Sequence, residues 1–456
     1  MGLIMAVNTY TTLDADVLNY LEKKLLQLPI RQLVAYQFGV PLTLPKGRGL
    51  TYTASRWNRV PLPYAPISEG VPPLGQTMTI SQVSCTAQQW ADGIILTDVA
   101  EMTIFHPPFQ QAVELCGLAV AETLERNTFV QLLSGTQINY VNERGSRHAL
   151  VAGDVLDTQT VIRTYAALNT LGAPRFDGDE RTDTKIMAQS GGARASSNPR
   201  MNPHYVALIH PLVSADFRQN SNVDNAWSRS DVNRLYNAEA GEWSGVRFCE
   251  TNMIPSWTGY AAITGAAGSA TGGTLPTATD YYLVITGSDT QNQYESYITQ
   301  VTAGISGSGF GTTGSITVTT PNVSGFTWNV YVGTTTTPTT LGLSPSGPIQ
   351  GPLAGQATQL PSNTLVTITG IGVAQTPPAP PGTGLTVYPT YVIGRGYYGQ
   401  VVLDDVKVEY LTKADKSDPW NQKRIVAWKV FYSSLIQNQL FGARIEAVSA
   451  NTATFT

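Results

Sequence analysis

The sequence predicts an α+β chain interrupted by an all-β segment, and three observations predict it. From Phe248 to Gly394 there is no Lys or Arg, so all 28 basic residues lie outside that stretch. Inside it, short alternating runs such as Tyr281-Tyr282-Leu283-Val284-Ile285-Thr286, Ser315-Ile316-Thr317-Val318-Thr319 and Thr327-Trp328-Asn329-Val330-Tyr331-Val332 are broken by Gly, Pro or Asn, the pattern of an antiparallel β-sandwich. Outside it, helical and strand periodicities mix at normal charge.

Taken in order, residues 14–28 fit an amphipathic helix capped by Asp14, with Val17, Leu18, Leu21 and Leu25 on one face and Pro29 as its stop. Residues 46–57 and 76–90 read as two strands of a long hairpin, joined by the proline-rich span 61–73. Such a ribbon carries few apolar residues per unit length and needs support from elsewhere, including another subunit. Pro107-Pro108 starts the strongest helix and Ser134-Gly135 stops it; Ala112, Val113, Cys116, Val120 and Leu124 recur at spacings of three or four. At about 1.5 Å per residue it extends roughly 40 Å. A second helix is expected near 155–171, a buried strand at 205–209, and strands at 400–410, 425–432 and 443–448. The segment Thr376-Pro377-Pro378-Ala379-Pro380-Pro381-Gly382 reads as a stiff linker closing the all-β segment.

Composition narrows the function. Charged residues are 13% of the chain, against a typical quarter or so, leaving a surface rich in Gly, Ser, Thr and Asn. A net charge of −4 gives no global attraction to phosphate backbones, so any contact with DNA is local or weak. Cys85, Cys116 and Cys249 form no CxxC pair and read as free thiols. The N-terminus lacks the basic start of a secretory signal, and no apolar run reaches a membrane span, so a chain that is soluble in the cytoplasm where it is made is expected.

Catalytic, metal and cofactor motifs are not found. Gly394-Arg395-Gly396-Tyr397-Tyr398-Gly399 is a literal GxGxxG, but a strand-like run with two acids follows where a phosphate loop requires a helix N-terminus, so it reads as a turn. His106, His148, His204 and His210 form no HExxH or HxH pair; His204 and His210 bracket the predicted strand. No hydrolase elbow or GxxxxGK[ST] loop occurs. Asn322-Val323-Ser324 is a glycosylation acceptor in form alone. No catalytic residue, metal ligand or cofactor is therefore expected. Lys46, Arg48, Arg56 and Arg59, interleaved with Tyr52 and Trp57, form a basic aromatic cluster on the hairpin. It suits intersubunit contact better than a merely solvated edge, and single-strand stacking least.

Ser68-Glu69-Gly70-Val71-Pro72-Pro73, then Ile95-Leu96-Thr97-Asp98, the long helix, and Leu132-Leu133-Ser134-Gly135-Thr136 closely resemble the tailed-bacteriophage major capsid proteins named for coliphage N-four. Asp418-Pro419-Trp420-Asn421-Gln422 followed by Ala427-Trp428-Lys429 resembles that family's closing motif. The resemblance implies an HK97-like capsid fold. Its parts are an N-terminal arm (1–45), an E-loop hairpin with its flanks (46–92), and a discontinuous core of P- and A-domains with a spine helix (93–258 and 388–456). The all-β segment 259–387 departs from the family and reads as an inserted immunoglobulin-like or fibronectin-like sandwich exposed on the outer surface. By the same resemblance, Lys46, Arg48, Arg56, Trp57, Arg59 and Glu69 are intersubunit contact residues. The implied partners are copies of the chain in hexamers and pentamers, a portal, scaffolding or cementing proteins, and enclosed DNA, with no membrane and with the virion as location. A tail or fibre adhesin is the rival reading; it predicts several sandwiches in series and no long central helix. A hydrolase predicts converging polar groups in a pocket.

Overall fold

The computed structural model of the 456-residue chain describes residues 33–62, 75–103, 108–176, 204–220, 223, 239–289, 294–323, 326–337, 341–343, 362–370, 377–411, 420 and 422–450. The predicted helix at 14–28, Glu69 with its motif, His106 and Asp418-Pro419 lie outside the described residues.

The fold is mixed α/β and rich in strands. The longest helix spans Pro108–Leu133, the range that the Pro start and Ser-Gly stop predict. Its buried face runs through Ala112, Cys116 and Val120 and then drifts to Glu125, Phe129 and Leu132, because 3.6 residues per turn does not hold a strict four-residue step. Leu124 is thereby displaced from the buried row, and a carboxylate takes the place beside it. Gly135 follows the helix end where a Cβ would lie 2.5 Å from the Tyr397 hydroxyl, so a larger residue would have to displace that ring.

Among the described residues the largest sheet has twelve strands. Its central run is Trp257–Tyr260, Thr386–Ile393, Tyr205–Ile209, Val246–Glu250 and Glu239–Trp243, with Gly442–Val448 along the other edge of Thr386–Ile393. The run Tyr205–Ile209 is apolar throughout because both faces are covered. Tyr205, Ala207 and Ile209 pack with Val161 and Leu168 of helix Thr158–Thr170, and Val206 and Leu208 with Phe129 and Leu132 of the long helix. Asp157 caps Thr158–Thr170 by accepting from the Thr160 N–H at 2.9 Å.

The segment 259–387 carries strands and no helix among its described residues. Ala278–Asp289, Glu295–Thr299 and Phe326–Gly333 form one layer, and Ala267–Ser269, Ser315–Thr319 and Leu365–Ile368 the other. Leu283, Ile285, Trp328 and Val330 meet Ile316, Val318, Val366 and Ile368 between them. This is a two-layer sandwich, but its first two strands lie in different sheets, where the immunoglobulin arrangement places them in one. The first layer is also hydrogen-bonded into the large sheet through parallel pairing of Glu295–Thr299 with Trp257–Tyr260. Its other face, with Val284, Ile298 and Tyr331, packs on Leu150, Trp257, Val387 and Val448. With both faces of that layer covered there is little room for charge within it. Glu295 is held there by Thr286, Asn329 and Tyr331, and burial raises its pKa.

The chain divides into two compact units. In one, formed from described residues of Asp92–Leu118 and Val408–Trp428, Arg424 pairs with Glu101 at 2.8 Å and the Asp98 N–H donates to Gln422 O at 3.0 Å. The other holds the twelve-stranded sheet, the sandwich and the hairpin described next.

Candidate functional site

The hairpin pairs Thr51–Trp57 with Ile80–Thr86 in antiparallel register, from Thr51 opposite Thr86 to Trp57 opposite Ile80. Among the described residues these two strands form a sheet of their own, and no described strand pairs with the outer edge of either. The first strand is shorter than the expected 46–57 because Lys46–Leu50 turns through Gly47 and Gly49 at positive φ before pairing begins, and the expected 76–90 is divided at Ala87 into Ile80–Thr86 and Gln88–Thr97. Beyond Trp57, Asn58 keeps the chains together. Its N–H donates to Thr79 O at 2.9 Å, its amide to Thr79 Oγ1 at 3.0 Å, and its Oδ1 accepts from Ser81 at 2.6 Å.

The base of the hairpin is anchored. Leu44, Ala87 and Val401 are buried together beside Tyr52, Cys85 and Leu403, and the Leu44 N–H donates to Val402 O. The approach to the base, Val34–Phe38, is held by Glu125. Its Oε1 accepts from the Val34 and Ala35 N–H groups at 2.7 and 2.6 Å, and its Oε2 from Tyr36 N–H at 2.9 Å. The Tyr398 hydroxyl donates to Ala35 O, and Gln400 Nε2 to Tyr36 O at 2.7 Å. Burial raises the Glu125 pKa above the ordinary carboxylate range, against the lowering by the three N–H groups.

The far half is open. Trp57 is 63% exposed, Met78 64% and Leu62 87%, and Ile80 stands across from Trp57 half in water. Of the predicted contact residues, Arg48, Arg56 and Arg59 are exposed and make no ion pair with any described residue. Lys46 differs, for its ammonium lies 2.8 Å from Asp404, which Lys407 also holds at 2.5 Å. Lys407 and Lys46 together pull Asp404 down to about 2. Lys46 thus fastens the hairpin base within its own chain, while Arg56 and Trp57 stand toward the tip and Glu69 is outside the described residues. The described hairpin, 46–62 and 75–91, has four cations and no acid, whereas 92–118 has four acids, Asp92, Asp98, Glu101 and Glu114, and no Lys or Arg.

The glycine-rich and histidine motifs occupy structural settings. The turn at 394–399 leads into strand Tyr398–Leu411, with Gly396 at φ +77°. His204 and His210 flank Tyr205–Ile209 as expected; His210 stacks on Tyr388, and burial lowers its pKa to about 4. Among the described residues no His, Cys, Asp or Glu group has the arrangement to hold a metal ion, and no helix is long and apolar enough to cross a membrane. The role of Glu125 was not signalled by the sequence: it stands in a helix otherwise read by its apolar positions, and a lone Glu there reads as solvent-facing.

No protein-family model matches the chain, and no curated protein matches it. Solved structures do match over nearly their whole length, at low identity. The capsid of Ralstonia phage GP4 is 8% identical, with 99% of this chain and 100% of that chain covered and a TM-score of 0.49. The capsid of cyanophage P-SCSP1u is 12% identical, with 97% and 96% covered and a TM-score of 0.48. The capsid asymmetric unit of cyanophage Pam1 is 9% identical, with 98% and 99% covered and a TM-score of 0.49.

Proposed function

We propose that the chain is a major capsid protein of a tailed bacteriophage: a non-catalytic shell subunit of HK97-like fold that assembles with its own copies into an icosahedral head around double-stranded DNA. The hairpin carries this reading. A two-stranded ribbon is marginal in water by itself, yet this one pairs at neither edge with a described strand and holds Trp57, Met78 and Ile80 in solvent. A subunit that lays the hairpin on a neighbour covers that surface, and an interface repeated around a closed ring needs no further machinery. The ordered motifs from Ser68 to Lys429 that resemble the N-four type family agree with it.

The partner surface follows from charge. A ribbon with cations and no acid suits a segment with acids and no Lys or Arg, so Arg48, Arg56 and Arg59 of one copy are read as facing the 92–118 segment of another. The sandwich is placed on the outer face of the shell, and a portal with scaffolding or cementing proteins completes the head. Assembly is virion-directed and takes place in the host cytoplasm.

The test is charge reversal. The variant R48E/R56E/R59E should remain folded, since surface changes away from partners shift stability by only about 0.5 kcal/mol. Its sedimentation should show assembly lost, and wild-type assembly should weaken as salt rises through about 0.15–1 M. Unchanged assembly of the reversed variant at low salt would sink the reading.

A further inference from the structure

We infer that the segment 259–387 is mounted rigidly on the core by a buried guanidinium clamp, so that it projects at a fixed angle and does not swing on a tether. The clamp is Arg147, 7% exposed, whose Nε and Nη2 each reach a Glu446 carboxylate oxygen at 2.7 Å. Glu446 is fully buried in strand Gly442–Val448. The same guanidinium lies 3.6 Å over the ring of Trp257, the residue that leads into the segment, and its Nη1 donates at 3.1 Å to Ala379 O in the linker that leads out. One side chain therefore grips both crossings and fixes them to a core strand.

Other contacts tie the crossings to each other. The Gly259 N–H donates to Leu385 O at 2.9 Å, the Gly384 N–H to Gly259 O at 2.8 Å, and the hydroxyls of Thr258 and Thr386 lie 2.9 Å apart. Gln300, inside the segment, donates to Pro381 O at 2.5 Å. A Cβ on Gly259 would sit 2.4 Å from Gly382 O, so the two chains touch backbone to backbone there. Trp257–Tyr260 pairs with Thr386–Ile393 on one side and with Glu295–Thr299 on the other, so one strand belongs to both core and segment. Tethered modules have solvated linkers in these places.

The charge balance makes the clamp testable without wrecking the fold. Arg444 also faces Glu446, at 3.0 Å, and donates through Nη1 to Leu133 O at the end of the long helix at 2.7 Å. Two cations share one buried carboxylate, so Arg147→Met leaves a neutral Arg444–Glu446 pair and no stranded charge. Arg147 is a positioning residue, and hydrogen exchange of the full chain reads its action. In the wild type, amides of 257–260 and 384–387 should exchange as slowly as those of 205–209. In R147M they should exchange about tenfold faster or more, while 205–209 and 315–319 keep wild-type rates. Fast exchange at the crossings in the wild type, or no change in R147M, would overturn the inference. Should R147M loosen every segment together, Trp257→Leu, which keeps the ion pair and removes the ring, decides. A gain confined to the crossings supports the clamp; a uniform gain or none refutes it.

Discussion

Replacing Trp57 by Asp should leave the subunit folded and stop it assembling. The ring is 63% exposed, and its strand partner Ile80 is also half in water, so nothing in the subunit's own core depends on it. In the proposed assembly it is the largest apolar side chain on the free half of the hairpin, where a neighbour's surface would dry it. Buried aromatic anchors of this kind contribute about 2–4 kcal/mol at an interface, and a carboxylate in that place adds its own desolvation cost. The critical concentration for assembly should rise at least about 30-fold, measured by light scattering, with the thermal midpoint of the unassembled chain unchanged. A lowered midpoint would show that Trp57 serves the subunit's own fold.

The second large effect belongs to Glu125. Truncation to Ala strands the buried N–H groups of Val34 and Ala35, each costing about 1–3 kcal/mol without a partner, and releases that of Tyr36, which is 41% exposed. Because the losses overlap, we expect about 3–5 kcal/mol from denaturant midpoints, a large share of a typical total of about 5–15 kcal/mol. Amide exchange at residues 34–36 should rise before that of the long helix. The pH response has a definite sign. Burial raises the folded pKa of Glu125 above its unfolded value, so its proton favours the folded state. Its contribution is fully present below the unfolded value of about 4.3 and declines as pH rises through the raised folded value. The stability of the wild type relative to Glu125→Gln should therefore fall as pH increases through that window. A difference that grows with pH would mean that the three N–H bonds outweigh desolvation.

Much of the framework was legible because it rests on local signals. Pro108 and Ser134-Gly135 bound the long helix, the apolar run at 205–209 marks a strand covered on both faces, and the Gly394 motif is a turn because a strand follows it. The hairpin was also readable from its two extended runs, although the turn through Gly47 and Gly49 read as strand. What sequence could not supply were pairings over long separations. Arg147 meets Glu446 across 299 positions, and Glu125 meets Val34 across 91. Neither acid differs in type or spacing from a solvated one. The sandwich was visible as alternating strands, but that one layer continues the core sheet depends on the parallel pairing of Trp257–Tyr260 with Glu295–Thr299, which periodicity does not encode. For the same reason Lys46 read as part of an outward cluster; Asp404, 358 positions away, draws it in.

Electron microscopy of the purified full-length chain, negatively stained over a range of concentration and ionic strength, tests self-assembly most directly. The account predicts rings, tubes or closed shells that become more abundant as concentration rises and salt falls. Monomers alone under every condition would contradict it.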